Sequence, residues 1–119
     1  MGDSFKLTVR SAAKVRRARF ATLATALDAM EREGRELERR ADAETVGGTL
    51  MRRLEPVQQV VARLELAGPA GLRVGVDVRG DGSSEAFTGR LGRRLVEHAR
   101  RESAYDALRR VLEGTAKRR

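Results

Sequence analysis

Cysteine and tryptophan are absent from the 119 residues, and histidine occurs once. Without cysteine there is no disulfide, no thiolate nucleophile and no Cys-ligated zinc or iron–sulfur centre. The absence also fits a reducing compartment. Proline occurs only at Pro56 and Pro69, so few points forbid regular structure. No apolar run approaches about 18 residues, the length a membrane-crossing helix needs. Met1–Ser4 leads straight into an alternating segment, with no apolar core of a signal peptide. The expectation is a cytoplasmic protein with no membrane partner. Aromatics are scarce as well: Phe5, Phe20, Phe87 and Tyr105. Proteins that stack single-stranded bases need exposed rings, so that mode of binding is disfavoured.

What the chain has in excess is arginine. Lysine and arginine together number 25 against 17 acidic residues, and 22 of the 25 are arginine. The formal net charge is +8. A GC-rich genome explains the choice of arginine over lysine but not the excess of base over acid. Net positive charge of this size favours polyanionic partners.

The strand signal is strongest between Val57 and Leu91. Leu72, Val74, Val76 and Val78 alternate with Arg73, Gly75, Asp77 and Arg79. Val60, Ala62, Leu64 and Leu66 alternate with Gln59, Val61, Arg63 and Glu65. Period two marks strands with one buried and one wet face. Ala67–Gly71 and Arg79–Gly82 carry the Gly, Pro and Asp-Gly chemistry of turns. A third strand is expected over 84–91, with Phe87 and Leu91 on its apolar side and Gly89 marking a bulge or a close backbone approach. Near the N-terminus, Phe5, Leu7 and Val9 alternate with Lys6, Thr8 and Arg10 as one more strand.

Residues 11–19 read as a basic connection that starts the next helix early. From about Arg19 to Arg40 the period lengthens. Phe20, Leu23, Leu27, Met30, Gly34 and Leu37 recur at three- and four-residue steps, the stripe of an amphipathic helix. Glu31–Arg35 and Glu36–Arg40 are i,i+4 pairs in the favourable order. Gly34 in the stripe points to a close neighbour there, since glycine costs about 1 kcal/mol against alanine in a helix interior. The stripe is expected to cover the sheet rather than form a dimer seam. Residues 41–56 read as a connection, with one helical turn over 50–54. A last helix begins at Ser103, with Asp106 as a partial capping box and Gly114 as its stop.

The expected fold is a single α+β domain of order β-α-β-β-β-α, a mostly antiparallel sheet with helices packed on one face. The domain spans 5–113, between a flexible N-terminus at 1–4 and a disordered basic tail at 114–119. In this order of elements the chain resembles the ribosome-associated hibernation factors, and its later part resembles the double-stranded-RNA-binding domain. The resemblance is one of element order, and no motif of either family carries a residue over.

Catalytic chemistry finds little footing. His98 lies among arginines with only Glu97 and Glu102 near in sequence as orienting carboxylates. An enzyme would need Asp77, Glu85 and His98 to converge in a pocket. Asp77–Gly82 has Arg79 where a calcium loop needs an oxygen donor, and Thr88 where it needs glutamate. No phosphate-cradling glycine loop is present. No catalytic residue, metal ligand or cofactor is assigned. The sequence therefore reads as a small, basic, non-enzymatic binding module for RNA, the ribosome or the DNA backbone. Its candidate phosphate-binding residues are Lys14, Arg16, Arg17, Arg19, Arg90, Arg93, Arg94, Arg100 and Arg101. The alternative is a protein-interaction or homodimerisation module with no nucleic-acid role, using the sheet face or the 20–37 stripe.

Overall fold

The computed structural model describes residues 4–12, 14–46, 59–89 and 93–117. The first strand, β1 (Phe5–Ser11), turns back at once into β2 (Lys14–Phe20). Helix α1 (Leu23–Val46) follows, then β3 (Val60–Gly68), a short 3₁₀ turn over Pro69–Gly71, and β4 (Leu72–Arg79). The strands β5 (Ser84–Thr88) and β6 (Arg94–Leu95) precede helix α2 (Ala104–Lys117). All six strands form one sheet in the order β2-β1-β3-β4-β5-β6, every neighbour antiparallel. Both helices pack on the same face. This is the expected α+β domain with two strands added to its order.

The registers make the core explicit, because residues paired across antiparallel strands share a face. One row on the helix side runs Ala18–Leu7–Leu66–Val74–Thr88–Arg94, and the next runs Arg16–Val9–Leu64–Val76–Ala86. Onto these rows α1 lays Ala26, Leu27, Met30, Leu37 and Ala41, and α2 lays Ala104, Tyr105, Ala107 and Leu108. Met30, Leu64 and Leu108 are completely buried, each worth about 1.5–3 kcal/mol over leaving it in water. The stripe on α1 thus covers the sheet. Close packing at Gly34 is also present: the Tyr105 ring of α2 lies against it.

Several expectations are corrected. Residues 14–20 form β2, not a helix start. Ser11 pairs with Lys14 and closes the hairpin through Ala12, at φ 50°. The helix therefore begins at Leu23, where the Thr22 hydroxyl accepts the Thr25 backbone N–H at 3.1 Å as an N-cap. Helix α1 continues to Val46 rather than ending near Arg40, since no breaker precedes Gly47-Gly48. The third predicted strand ends at Thr88, with Gly89 at φ 89°, and a register shift falls instead in β3 between Val60 and Ala62. Helix α2 passes through Gly114 to Lys117, so the tail does not begin at 114. Gly114 is in open space with an ordinary helical φ, and the modest propensity cost of glycine does not stop a helix already docked. The expectations for 1–3, 50–54, Arg90, Leu91 and 118–119 fall outside the described residues. Among the described residues no helix is long and apolar enough to cross a membrane.

The start of α2 is tied to the preceding turn. Ser103 Oγ accepts the Asp106 N–H at 3.0 Å, as the capping pattern predicts. Glu102 accepts the Ala99 N–H at 2.8 Å and two Arg110 N–H groups at 3.0 Å each. The Arg110 bonds first, and the Ala99 bond second, pull the Glu102 carboxyl from 4.5 down to about 2. A carboxyl depressed in the folded state stabilises above its unfolded value and loses that contribution as pH falls toward the folded value. Glu102→Gln is therefore expected to flatten the acid limb of stability between about pH 4.5 and 2. Urea midpoints measured across that window check it, and an unchanged limb would refute it.

Candidate nucleic-acid interface

The sheet has a second face, which neither helix covers. By register its rows run Arg19–Lys6–Ala67–Arg73, then Arg17–Thr8–Glu65–Gly75–Phe87–Leu95, then Val15–Arg10–Arg63–Asp77–Glu85, with Val60 opposite Arg79 at the end. Arg93 joins this face through its contacts with Phe87 and Glu65. Among the described residues, eight cations and three carboxylates thus share one surface. The alternation that buries Leu, Val and Ala on one side delivers basic residues to the other.

The face divides in two. At one end the charges neutralise each other. Arg63 forks onto Asp77 at 2.6 and 3.3 Å, Arg79 holds Glu85 at 2.5 Å, and Glu65 faces Arg10 at 3.6 Å and Arg93 at 3.8 Å. Asp77 is the one charged side chain in the buried set of described residues, at 8% exposure, and its carboxylate raises the pKa of Arg63. Pairs this close attract each other more than they attract ions from solution. At the other end lie Arg19, Lys6 and Arg73 in one row, with Arg17 one step along. None of these four has a carboxylate partner among the described residues, and Arg19 donates only to Ser4 Oγ at 3.4 Å. They sit on β2, β1 and β4, about 14 Å from end to end at the usual strand spacing. They form a free cationic patch.

Phe87 is a further correction. Its expected place on the core side is taken by Ala86. Phe87 lies on the open face across Gly75, where a Cβ would come within 2.7 Å of the Leu64 carbonyl and closer still to the ring. Arg93 stacks over the ring with its guanidinium carbon 4.4 Å from the centroid, and Arg63 approaches to 6.0 Å. Only 3% of Phe87 is exposed.

The residues singled out from sequence are dispersed. Lys14 and Arg16 fall on the helix side of β2, and Arg16 is held by Glu33 of α1 at 2.6 Å. Arg17 and Arg19 lie on the open face. Arg94 is on β6, at the opposite edge of the sheet, roughly 24 Å away at five strand spacings. Arg100 and Arg101 are exposed in the turn leading to α2. Of the eight that are described, only Arg17, Arg19 and Arg93 are placed on the open face, and Arg93 is engaged there; Arg90 lies outside the described residues. Lys6 and Arg73 escape a search for basic clusters, although their alternation with buried residues is visible in the sequence. Several helix arginines are also engaged: Arg109 bridges to Glu31 at 2.7 Å and Asp28 at 2.9 Å, joining α2 to α1.

Asp77 and Glu85 are neighbours, but each is held by an arginine, and His98 lies in the irregular segment between β6 and α2. Among the described residues no cluster of three His, Asp or Glu side chains could hold a metal ion. No family model, curated protein or solved structure matches the chain.

Proposed function

We propose that the protein is a non-enzymatic module that binds the phosphate backbone of nucleic acid through the open face of its sheet. The observation that carries this reading is the patch of Lys6, Arg17, Arg19 and Arg73, four cations without carboxylate partners among the described residues, on the sheet face that neither helix covers. Phosphate would supply the missing counter-charge, and arginine presents forked donors to phosphate oxygens.

The competing account of the β2 charges is protection. An edge strand with cations on both faces resists pairing with a second copy. That account covers Lys14, Arg16, Arg17 and Arg19, but not Lys6 and Arg73 on inner strands. Self-association through the α1 stripe has little support, since the stripe is buried in the core. The exposed aliphatics on the open face, Val15, Val60 and Leu95, stand on β2, β3 and β6 as separate spots rather than a patch.

Titrating protein stripped of co-purified nucleic acid against mixed duplexes over a range of salt tests the reading. Four phosphate contacts predict a log–log slope of roughly −3 to −4, or about a hundredfold loss of affinity between 50 and 200 mM. Absence of binding at low salt would sink the proposal.

A further inference from the structure

We infer that the open face takes double-helical rather than single-stranded nucleic acid; the inference rests on the phosphate-binding reading above. Single strands are held on sheet surfaces by bases stacking on exposed rings. The whole chain has four aromatic residues, and none is free to do this. Phe5 and Phe20 pack against the core from the helix side. Tyr105 is 3% exposed between the helices. Phe87, the aromatic on the open face, is capped by Arg93 and equally buried.

What remains is charge on a fixed frame. Arg19, Lys6 and Arg73 are set by strand register along one row, with Arg17 beside them. A rigid cation array gains most from a ligand whose phosphates are dense and held in place. A duplex offers one charge per about 1.7 Å of axis against about 3.4 Å for each strand. RNA and DNA duplexes share this chemistry.

The test is fluorescence anisotropy in about 50 mM salt with a duplex of about 20 base pairs, made as RNA and as DNA, and with its non-self-pairing strands, matched in phosphate. With four contacts, the steeper salt dependence of duplexes predicts binding about tenfold tighter than to the strands. Tighter binding to either duplex than to its strands supports the inference, and the duplex held more tightly identifies the source. Single strands bound equally or better would overturn it while leaving phosphate binding intact. Salt-sensitive binding to none of the probes would overturn the phosphate reading itself. A second measurement uses Phe87→Leu, with folding checked by circular dichroism. Unchanged affinity for all probes is expected, and a loss confined to single strands would show a stacking role and overturn the inference.

Discussion

Replacing Gly34 with alanine is expected to destabilise the fold by about 2 kcal/mol, lowering Tm by roughly 5–10 °C. Helix propensity alone argues the opposite, since alanine gains about 1 kcal/mol over glycine in a helix interior. Packing decides the sign. A Cβ at Gly34 would lie 2.7 Å from Cζ of Tyr105 and closer still to its hydroxyl. Tyr105 has no room to yield. Its hydroxyl donates to Glu38 at 2.7 Å, the same oxygen that accepts from Ser84 Oγ at 2.6 Å, and Arg35 sits 5.2 Å from its ring centroid. Burial first, and the Glu38 carboxylate second, push the phenol well above its ordinary value, so it stays a donor across the usual pH range. Displacing the ring opens the α1–α2 contact and removes one of the partners of Glu38. In a Tyr105→Leu background the ring is gone, and Gly34→Ala should become neutral or stabilising. Thermal melts of the four variants in the cycle give the coupling directly. A wild-type background stabilised by Gly34→Ala would mean that Tyr105 does not pack there.

The same residue shows how far the sequence can be read. A glycine inside an apolar stripe announces a close neighbour, and one is there. Which neighbour it is depends on tertiary packing between segments some 70 positions apart, and no local pattern carries that. The strands with clean alternation, β1, β3 and β4, are legible, and so is the Ser103 cap. The β1–β2 hairpin is not. Tight two-residue turns are usually announced by Asn-Gly or Asp-Gly, whose residues tolerate positive φ. Here the turn is built on alanine, with Ala12 at φ 50°. The arginine-rich LysValArgArgAlaArgPhe segment that follows has only Val15 and Phe20 as large apolar residues, because an edge strand has little to bury. Phe87 misleads about its face for a related reason. A lone aromatic signals burial, but Gly75 across the strand and two arginines bury it as well as a core would.

For the candidate site, clustering along the chain is the misleading signal. Runs such as Arg93–Arg94 look like a surface, yet alternation sends neighbours to opposite faces, and acids remote in sequence consume several of them. The useful signal is the wet half of each alternating strand, read across strands once their order is known. That order, with β1 between β2 and β3, is set by long-range pairing.

The sharpest functional consequence separates free cations from engaged ones. Changing Lys6, Arg17, Arg19 and Arg73 together to alanine is expected to weaken duplex binding about a hundredfold or more at 50 mM salt. The log–log salt slope should fall by roughly 3–4, close to 0.9 for each phosphate no longer neutralised. The fold should survive, because these side chains hold no carboxylate of the described residues and cover no core; removing four like charges from one face also relieves repulsion. Arg100→Ala with Arg101→Ala removes two exposed arginines without touching the open face. It should leave the slope unchanged. Arg63→Ala is a third kind of change. It leaves the buried Asp77 carboxylate unpaired on the same sheet face as the patch, so it should lower stability as well as affinity. Circular dichroism and anisotropy on the three variants separate the cases. Loss of affinity in Arg100→Ala/Arg101→Ala equal to that of the fourfold variant would move the interface to the turn before α2. An unchanged slope in the fourfold variant would leave the open face a solvated surface.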